Sequence, residues 1–320
     1  MIYKMDLTVI IPIYNTGKYL DECIQSLDLE HNDIEVILVD DGSTDDSYSI
    51  AKQYSSGTVK LFSKPNGGVS SARNIGLCQA TRKYIMFLDS DDKFIKTWAT
   101  KIQSILETDC DIAYFSKKIS RYYSNFELLK LLLGQGEFVY SGCCSKLFKR
   151  DLIINNGIFF NNKIINGEDL LFNIACLNYS KKQIFIPESF YLYRQNLQSL
   201  THSSNEYFIK SNFLFFEELE LLLNESTVVD QHQRERIINN AIFSSIYLMV
   251  NKYNLEKSEN ARQAVKQLIN QVNLKSTTFN MRYLLAYFLC KLRCFFILSC
   301  LRNFKNKINS FKEGQRWIII

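Results

Sequence analysis

Four apolar runs in the first third of the chain each end in a polar signal. Leu7 to Ile13 runs into Tyr14-Asn15-Thr16-Gly17, Ile34 to Val39 into Asp40-Asp41-Gly42-Ser43, and Thr58 to Phe62 into Pro65-Asn66-Gly67-Gly68. Tyr84 to Leu88 runs into Asp89-Ser90-Asp91-Asp92. The runs are continuous rather than alternating, the pattern of strands in a parallel sheet covered on both faces. Between them the period becomes helical: Leu20, Cys23, Ile24 and Leu27 make one face of residues 18 to 29 apolar. Repeated strand-helix alternation predicts an α/β fold with a largely parallel sheet and helices on both faces. Its polar strand ends share one edge, so Tyr14, Asp41, Asn66, Arg73, Asp89 and Asp91 should converge although scattered in sequence.

Two carboxylates one residue apart at the lip of a sheet, Asp89 and Asp91, suit one hard divalent cation, Mg²⁺ or Mn²⁺, which typically serves a substrate phosphate as well. A nucleoside diphosphate is the natural guest. The same Asp-x-Asp-Asp also makes a good turn, and Asp92 suits the cap of a helix starting near Lys93. Neither the GxGxxG of a dinucleotide site nor the GxxxxGK of a P-loop occurs, so phosphate falls to metal and arginine rather than to a glycine nest. Residues 12 to 18 also lack the glycine- and lysine-rich loop of a nucleotidyltransferase.

Val9-Ile-Ile-Pro-Ile-Tyr-Asn15, Val39-Asp-Asp-Gly-Ser-Thr-Asp45, Pro65-Asn-Gly-Gly-Val-Ser-Ser-Ala-Arg-Asn-Ile-Gly76 and Phe87-Leu-Asp-Ser-Asp-Asp92 together resemble glycosyltransferase family 2, in order and at its usual separations. The resemblance covers about the first two hundred residues. It implies a GT-A fold, Rossmann-like with a mixed but largely parallel sheet, and inverting, metal-dependent transfer from a nucleotide sugar, usually a UDP-sugar. It carries nucleotide contacts onto Pro12, Tyr14, Asp41, Asn66, Arg73, Asp89 and Ser90, and the metal onto Asp91 with Asp89. Asp41 would accept the imide N–H of uracil, a charge-assisted bond; the alternative is an Asx turn ahead of Gly42. Pro12 and Tyr14 would wall the base pocket, and Arg73 would bring its fork of donors to the diphosphate or base.

A second cluster, Asn166-Gly-Glu-Asp-Leu-Leu-Phe-Asn173, opens an amphipathic helix. Carboxylates are favourable there on capping grounds alone. The family resemblance adds that Asp169 is the catalytic base and Glu168 a diphosphate or acceptor contact. Ser145-Lys-Leu-Phe-Lys-Arg150 and Tyr191-Leu-Tyr-Arg-Gln-Asn-Leu-Gln-Ser-Leu-Thr-His202 look like family features too, which makes Lys146, Arg194 and Ser199 further candidates. His202 is either a member of the metal shell or an ordinary loop residue.

Composition extends this picture. Nine cysteines without CxxC pairs or a signal-peptide pattern read as reduced core residues of an intracellular protein. From about Tyr207 the periodicity is helical throughout. This divides the chain into a transferase domain, 1–205 (nucleotide-binding half 1–98, acceptor half 99–205), and a mainly helical C-terminal region, 206–320, suited to homo-oligomer contacts. Its tail, 282–320, holds Arg282, Lys291, Arg293, Arg302, Lys305, Lys307, Lys312 and Arg316 against the single acid Glu313. Interleaved with Phe295, Phe296, Phe304, Phe311 and Trp317, these cations suit an interfacial helix on an anionic membrane. No nucleic-acid motif accompanies them. The expectation is a glycosyltransferase peripheral to the inner face of a bacterial plasma membrane, taking a nucleotide-sugar donor and a saccharide acceptor, lipid-linked in surface polysaccharide assembly. The alternative is a catalytically silent module of the same fold, anchored by its tail.

Overall fold

A computed structural model describes residues 3–119, 121–133, 141–194, 206–252, 258–271, 281–291 and 317–319. Ser199, His202 and most of the basic tail lie outside the described residues. Two compact units emerge, one of residues 1–195 with 316–320, the other of 196–315.

The first unit opens with β1 (Tyr3–Ile13), α1 (Gly17–Gln25), β2 (Asn32–Asp40), α2 (Ser47–Tyr54), β3 (Val59–Ser63), α3 (Val69–Gln79) and β4 (Tyr84–Phe87). The alternation read from the sequence is therefore present. Helix α1 buries Leu20, Cys23 and Ile24 but stops at Gln25, because Asp28 turns the chain with φ of 51°. After β4 the chain departs from expectation: Lys93–Phe94 is a short strand, β5, and the next helix, α4 (Trp98–Leu106), starts later. Asp92 caps no helix at Lys93. There follow β6 (Ile112–Phe115), α5 (Asn125–Leu132), β7 (Lys146–Lys149), α6 (Arg150–Asn155), α7 (Glu168–Tyr179), β8 (Gln183–Ile186) and β9 (Tyr191–Arg194).

The main sheet runs β3-β2-β1-β4-β7-β6-β8. Strands β3, β2, β1 and β4 are mutually parallel, β7 is antiparallel to both neighbours, and β8 is parallel to β6. From β1 the chain winds outward to β3, then crosses to the other side of β1 to form β4. This reversal opens a crevice at the carboxyl ends of β1 and β4, where open α/β sheets bind ligands. Strand β1 is solidly core, with Val9, Ile10, Ile11 and Ile13 fully buried. Helix α3 packs on β1 and β2. Gly76 permits that approach, since a Cβ there would collide with the Ile10 side chain.

The closing strand of the chain, β10 (Trp317–Ile319), joins β9 and β5 in a second sheet of order β10-β9-β5. Among the described residues, the region expected to be helical over 206–320 includes a strand at Trp317–Ile319, which belongs to the first unit. Within the second unit, α9 (Gln231–Lys252) packs against α8 (Glu206–Glu225), α10 (Glu259–Gln271) and α11 (Met281–Lys291). Leu219, Leu223, Ile246, Met249, Val265 and Leu268 are fully buried among them. No helix among the described residues is long and apolar enough to cross a membrane.

Candidate active site

Loops at the carboxyl ends of β1, β2 and β3 are tied together by short polar side chains. Asn15, with φ of 51°, accepts the Thr44 N–H at 2.8 Å through its side-chain oxygen, and its own N–H donates to Ser43 Oγ at 3.1 Å. These bonds leave Tyr14 nearly half exposed beside the Gly42 turn. Asp41 is buried, and its carboxylate accepts the N–H groups of Gly67 (3.0 Å) and Gly68 (2.7 Å) and pairs with Lys64. It thus organises the loop bearing Asn66. Lys64 was not singled out in the sequence; its signal was a cation preceding a Pro-Asn-Gly-Gly turn.

Arg73 is the centre of the site. It lies on the inward face of α3, only 3% exposed. One guanidinium nitrogen donates to Asp89 Oδ1 at 2.8 Å, the other to Asp169 Oδ1 at 2.6 Å, with Glu168 Oε1 at 3.8 Å from the same nitrogen. The guanidinium also stands over the Phe160 ring, 5.3 Å from its centroid. Phe160 stacks on Phe172 of α7 at 4.1 Å. Two carboxylates eighty residues apart in sequence therefore share one cation, and fork geometry suits that task where a lysine's point charge would not. Arg73 is expected from the sequence to reach a diphosphate or base; its described partners are the carboxylates of Asp89 and Asp169.

The two acids that open α7 have different contacts. Asp169 Oδ2 accepts the Cys143 N–H at 3.3 Å while Oδ1 faces Arg73. Burial, reinforced by the Asp169 charge and only partly offset by Arg73, pushes Glu168 above the ordinary carboxylate range. The left-handed φ of 93° at Gly167 turns the chain into α7 and delivers both residues to the edge.

The turn after β4 is held from below. Ser90 is buried, and its Oγ accepts from Thr16 Oγ1 at 2.9 Å. Asp92 accepts the Tyr191 hydroxyl at 2.6 Å and the Arg194 N–H at 2.7 Å. Burial, with the Asp89 charge alongside, pushes its carboxyl well above the usual range. Asp89 and Asp91 stay partly exposed at the lip. Among the described residues no three His, Cys, Asp or Glu side chains form an all-protein metal cage. The donor set that remains, two carboxylates at an open edge, fits a hard cation completed by substrate oxygens and water.

Two further candidates are buried beside the site. Lys146 is buried on β7 and donates to the Gly142 carbonyl, while Asn173 Nδ2 donates to the Ser141 carbonyl at 2.7 Å. Both hold the segment whose next N–H reaches Asp169, so Lys146 supports the site from beneath. Burial depresses its ammonium to about 8. Arg194 is likewise buried: it donates to the Asp91 carbonyl at 2.8 Å and to Glu22 at 2.6 Å, and stacks over Tyr19 at 4.3 Å. Pro12 pairs in register with Val39 inside the sheet.

The model of the family described as Glycosyl transferase family 2 matches residues 8–164. The chain is 29% identical over 227 residues to the uncharacterized glycosyltransferase YibD of Escherichia coli (strain K12), covering 62% of this chain and 65% of the relative. It is 32% identical over 225 residues to the glycosyltransferase GlyG of Streptococcus pneumoniae serotype 4, covering 61% of this chain and 72% of that protein. The chain thus spans just under two thirds of the first relative and somewhat more of the second. Among solved structures, Staphylococcus aureus TarS 1-349 in complex with UDP-GlcNAc superposes with a TM-score of 0.68 at 20% identity, covering 95% of this chain and 92% of TarS 1-349. That likeness is one of fold, and it extends to the GT-A arrangement expected from the motifs.

Proposed function

We propose a specific reaction for this chain, which belongs to glycosyltransferase family 2 and is a glycosyltransferase: inverting transfer of a hexosyl or N-acetylhexosaminyl group from a UDP-sugar to a hydroxyl of a saccharide acceptor. The observation that carries it is Arg73 joining Asp89 and Asp169 across the sheet edge, which sets a cation-binding carboxylate beside a candidate base. The TarS structure with UDP-GlcNAc supports the choice of donor class.

In this reading Asp169 Oδ2, whose described contact is one long N–H bond, takes the acceptor hydroxyl's proton. The acceptor oxygen forms its bond to C1 as the bond from C1 to the diphosphate oxygen breaks, and UDP leaves with that electron pair on the opposite face. Arg73 keeps Asp169 aimed. Mn²⁺ or Mg²⁺ held by Asp89 and Asp91 would supply charge neutralisation on the departing diphosphate. Asp41 fixes the loop of Asn66 against which the base would sit, and Tyr14 offers a ring to stack on it.

We place the enzyme peripherally at the inner face of a bacterial plasma membrane, acting on a lipid-linked acceptor in surface polysaccharide synthesis; eight cations against one acid in 282–320 support this. Exchanging Lys305, Lys307 and Lys312 for Gln should release the protein from anionic vesicles in a sedimentation assay, and undiminished binding would remove the tail from the account. Calorimetric titration of UDP, GDP and CDP, with and without Mn²⁺, tests the central reading. UDP-selective, metal-dependent binding is expected. Failure of all three in folded protein would leave the silent binding module as the better description.

A further inference from the structure

We propose that the C-terminal strand β10 is a positioning element of the catalytic unit: it fixes β9 at Tyr193 and Arg194, and β9 in turn fixes the turn that carries Asp89 and Asp91. Four bonds join β9 to that turn. The Tyr191 hydroxyl accepts the Asp89 N–H at 3.2 Å and donates to Asp92 at 2.6 Å. The Arg194 N–H donates to the other oxygen of Asp92 at 2.7 Å, and Arg194 Nε donates to the Asp91 carbonyl at 2.8 Å. Every residue from Asp89 to Asp92 except Ser90 is thus tied to β9.

Among the described residues, β9 has two strand neighbours, β5 and β10. Strand β5 is two residues long and stands opposite Tyr191 and Leu192 alone. Tyr193 and Arg194 extend past it, and their partners across the sheet are Ile318 and Trp317 of β10, with Ile319 opposite Leu192. Remove β10 and β9 becomes an edge strand against a two-residue partner, a marginal ribbon whose freed N–H and C=O groups return to water. Arg194 would then lose the strand geometry that aims both its backbone N–H and its guanidinium at the turn. A carboxylate pair left to drift by even about 1 Å loses much of its value as a ligand set. The end of the chain, which the charge pattern groups with a membrane tail, therefore contributes to donor-site geometry.

The inference rests on reading Asp89 and Asp91 as donor-site ligands, so one arm of the test is independent of that reading. The full chain is compared with a chain ending at Gln315 and with Ile318→Pro in the full chain, which disturbs the pairing strand without shortening it. Amide hydrogen exchange should speed up by about tenfold or more at Asp89, Asp92 and Arg194 in both variants, with β1 and β2 unchanged. Unchanged exchange at those three amides overturns the proposal. In the second arm, UDP affinity with Mn²⁺ should weaken by about tenfold while metal-free UDP affinity stays level; equal weakening in both, or none, overturns it. A peptide matching residues 314–320 added in trans should restore exchange protection and metal-dependent binding to the truncated chain. Should the wild-type chain bind no UDP while the exchange arm behaves as expected, the functional reading falls and the positioning role stands.

Discussion

Replacing Arg73 with Met, which keeps a comparable apolar stem but removes the fork, tests the centre of the site. Arg73 is 4% exposed at its side chain and neutralises Asp89 and Asp169, with Glu168 nearby. Breaking a buried ion pair by removing one partner costs about 3–5 kcal/mol. Here the abandoned carboxylates are 28% and 21% exposed and can draw in water, which brings the electrostatic cost to about 2–3 kcal/mol. Losing the guanidinium over Phe160 adds about 0.5–1 kcal/mol. A total near 3 kcal/mol in a unit of this size lowers the melting temperature by roughly 6–12 °C. The variant also leaves three neighbouring carboxyl groups without their shared cation, so Mn²⁺ should raise its melting temperature more than it raises that of wild type. Urea titration gives the stability difference and melting with and without Mn²⁺ gives the cation response. A loss under about 0.5 kcal/mol, or equal Mn²⁺ responses, would refute the claim that one guanidinium holds these carboxylates together. Arg73→Lys should fall between, because an ammonium restores charge without serving two carboxylates 2.6 and 2.8 Å away at once.

Asp169→Asn should keep UDP affinity within about twofold while lowering turnover by a factor of about 10²–10⁴, and wild-type-like turnover would take Asp169 out of the chemistry. Gly76→Ala places a methyl group into Ile10 at the α3–β1 contact; overpacking outweighs the helix-propensity gain and the expected net loss is about 1–2 kcal/mol by urea titration. Glu35, though its burial opposes ionisation, is held ionised by Lys60, Thr8 and Thr81, and its carboxyl is lowered from 4.5 to about 2. A depressed folded-state value stabilises above the unfolded one, so this contribution is complete above about pH 4.5 and is lost as pH falls toward 2. With Lys60 43% exposed, screening reduces it to about 2 kcal/mol. Glu35→Gln should therefore be less stable than wild type at pH 7 and lose less between pH 4.5 and pH 2.5, and parallel pH profiles would contradict the assignment.

How much of this was legible in the chain depends on the range over which each feature is set. Apolar runs ending in Asn15, Asp41, Asn66 and Asp89 fix both strand identity and a shared edge, because side-chain periodicity and turn chemistry act within a few residues. That local information was enough to recognise β1 to β4 as strands and to set Arg73 and Asp89 on one edge, while Asp169 gained its role from the family resemblance. Glu168 and Asp169 at a helix start were legible for the same reason. What the chain alone left undetermined were partners chosen across distance. Arg73, Lys146 and Arg194 read identically as cations near a phosphate; only packing turned Arg73 toward two carboxylates and buried Lys146 under Gly142 and Arg194 under Asp91. Asp92 looked like a helix cap because Asp is a favoured N-cap residue, yet β9 claims its carboxylate from a hundred residues away. Trp317–Ile319 follows a basic, aromatic stretch and its composition pointed to a membrane surface, while backbone pairing with β9 placed it in the catalytic unit. Sequence determines what each segment can do locally; which of several possible partners a charged or strand-forming segment takes is decided by the folded arrangement, since burying an ion or a sheet edge is favourable only where its counterpart already lies.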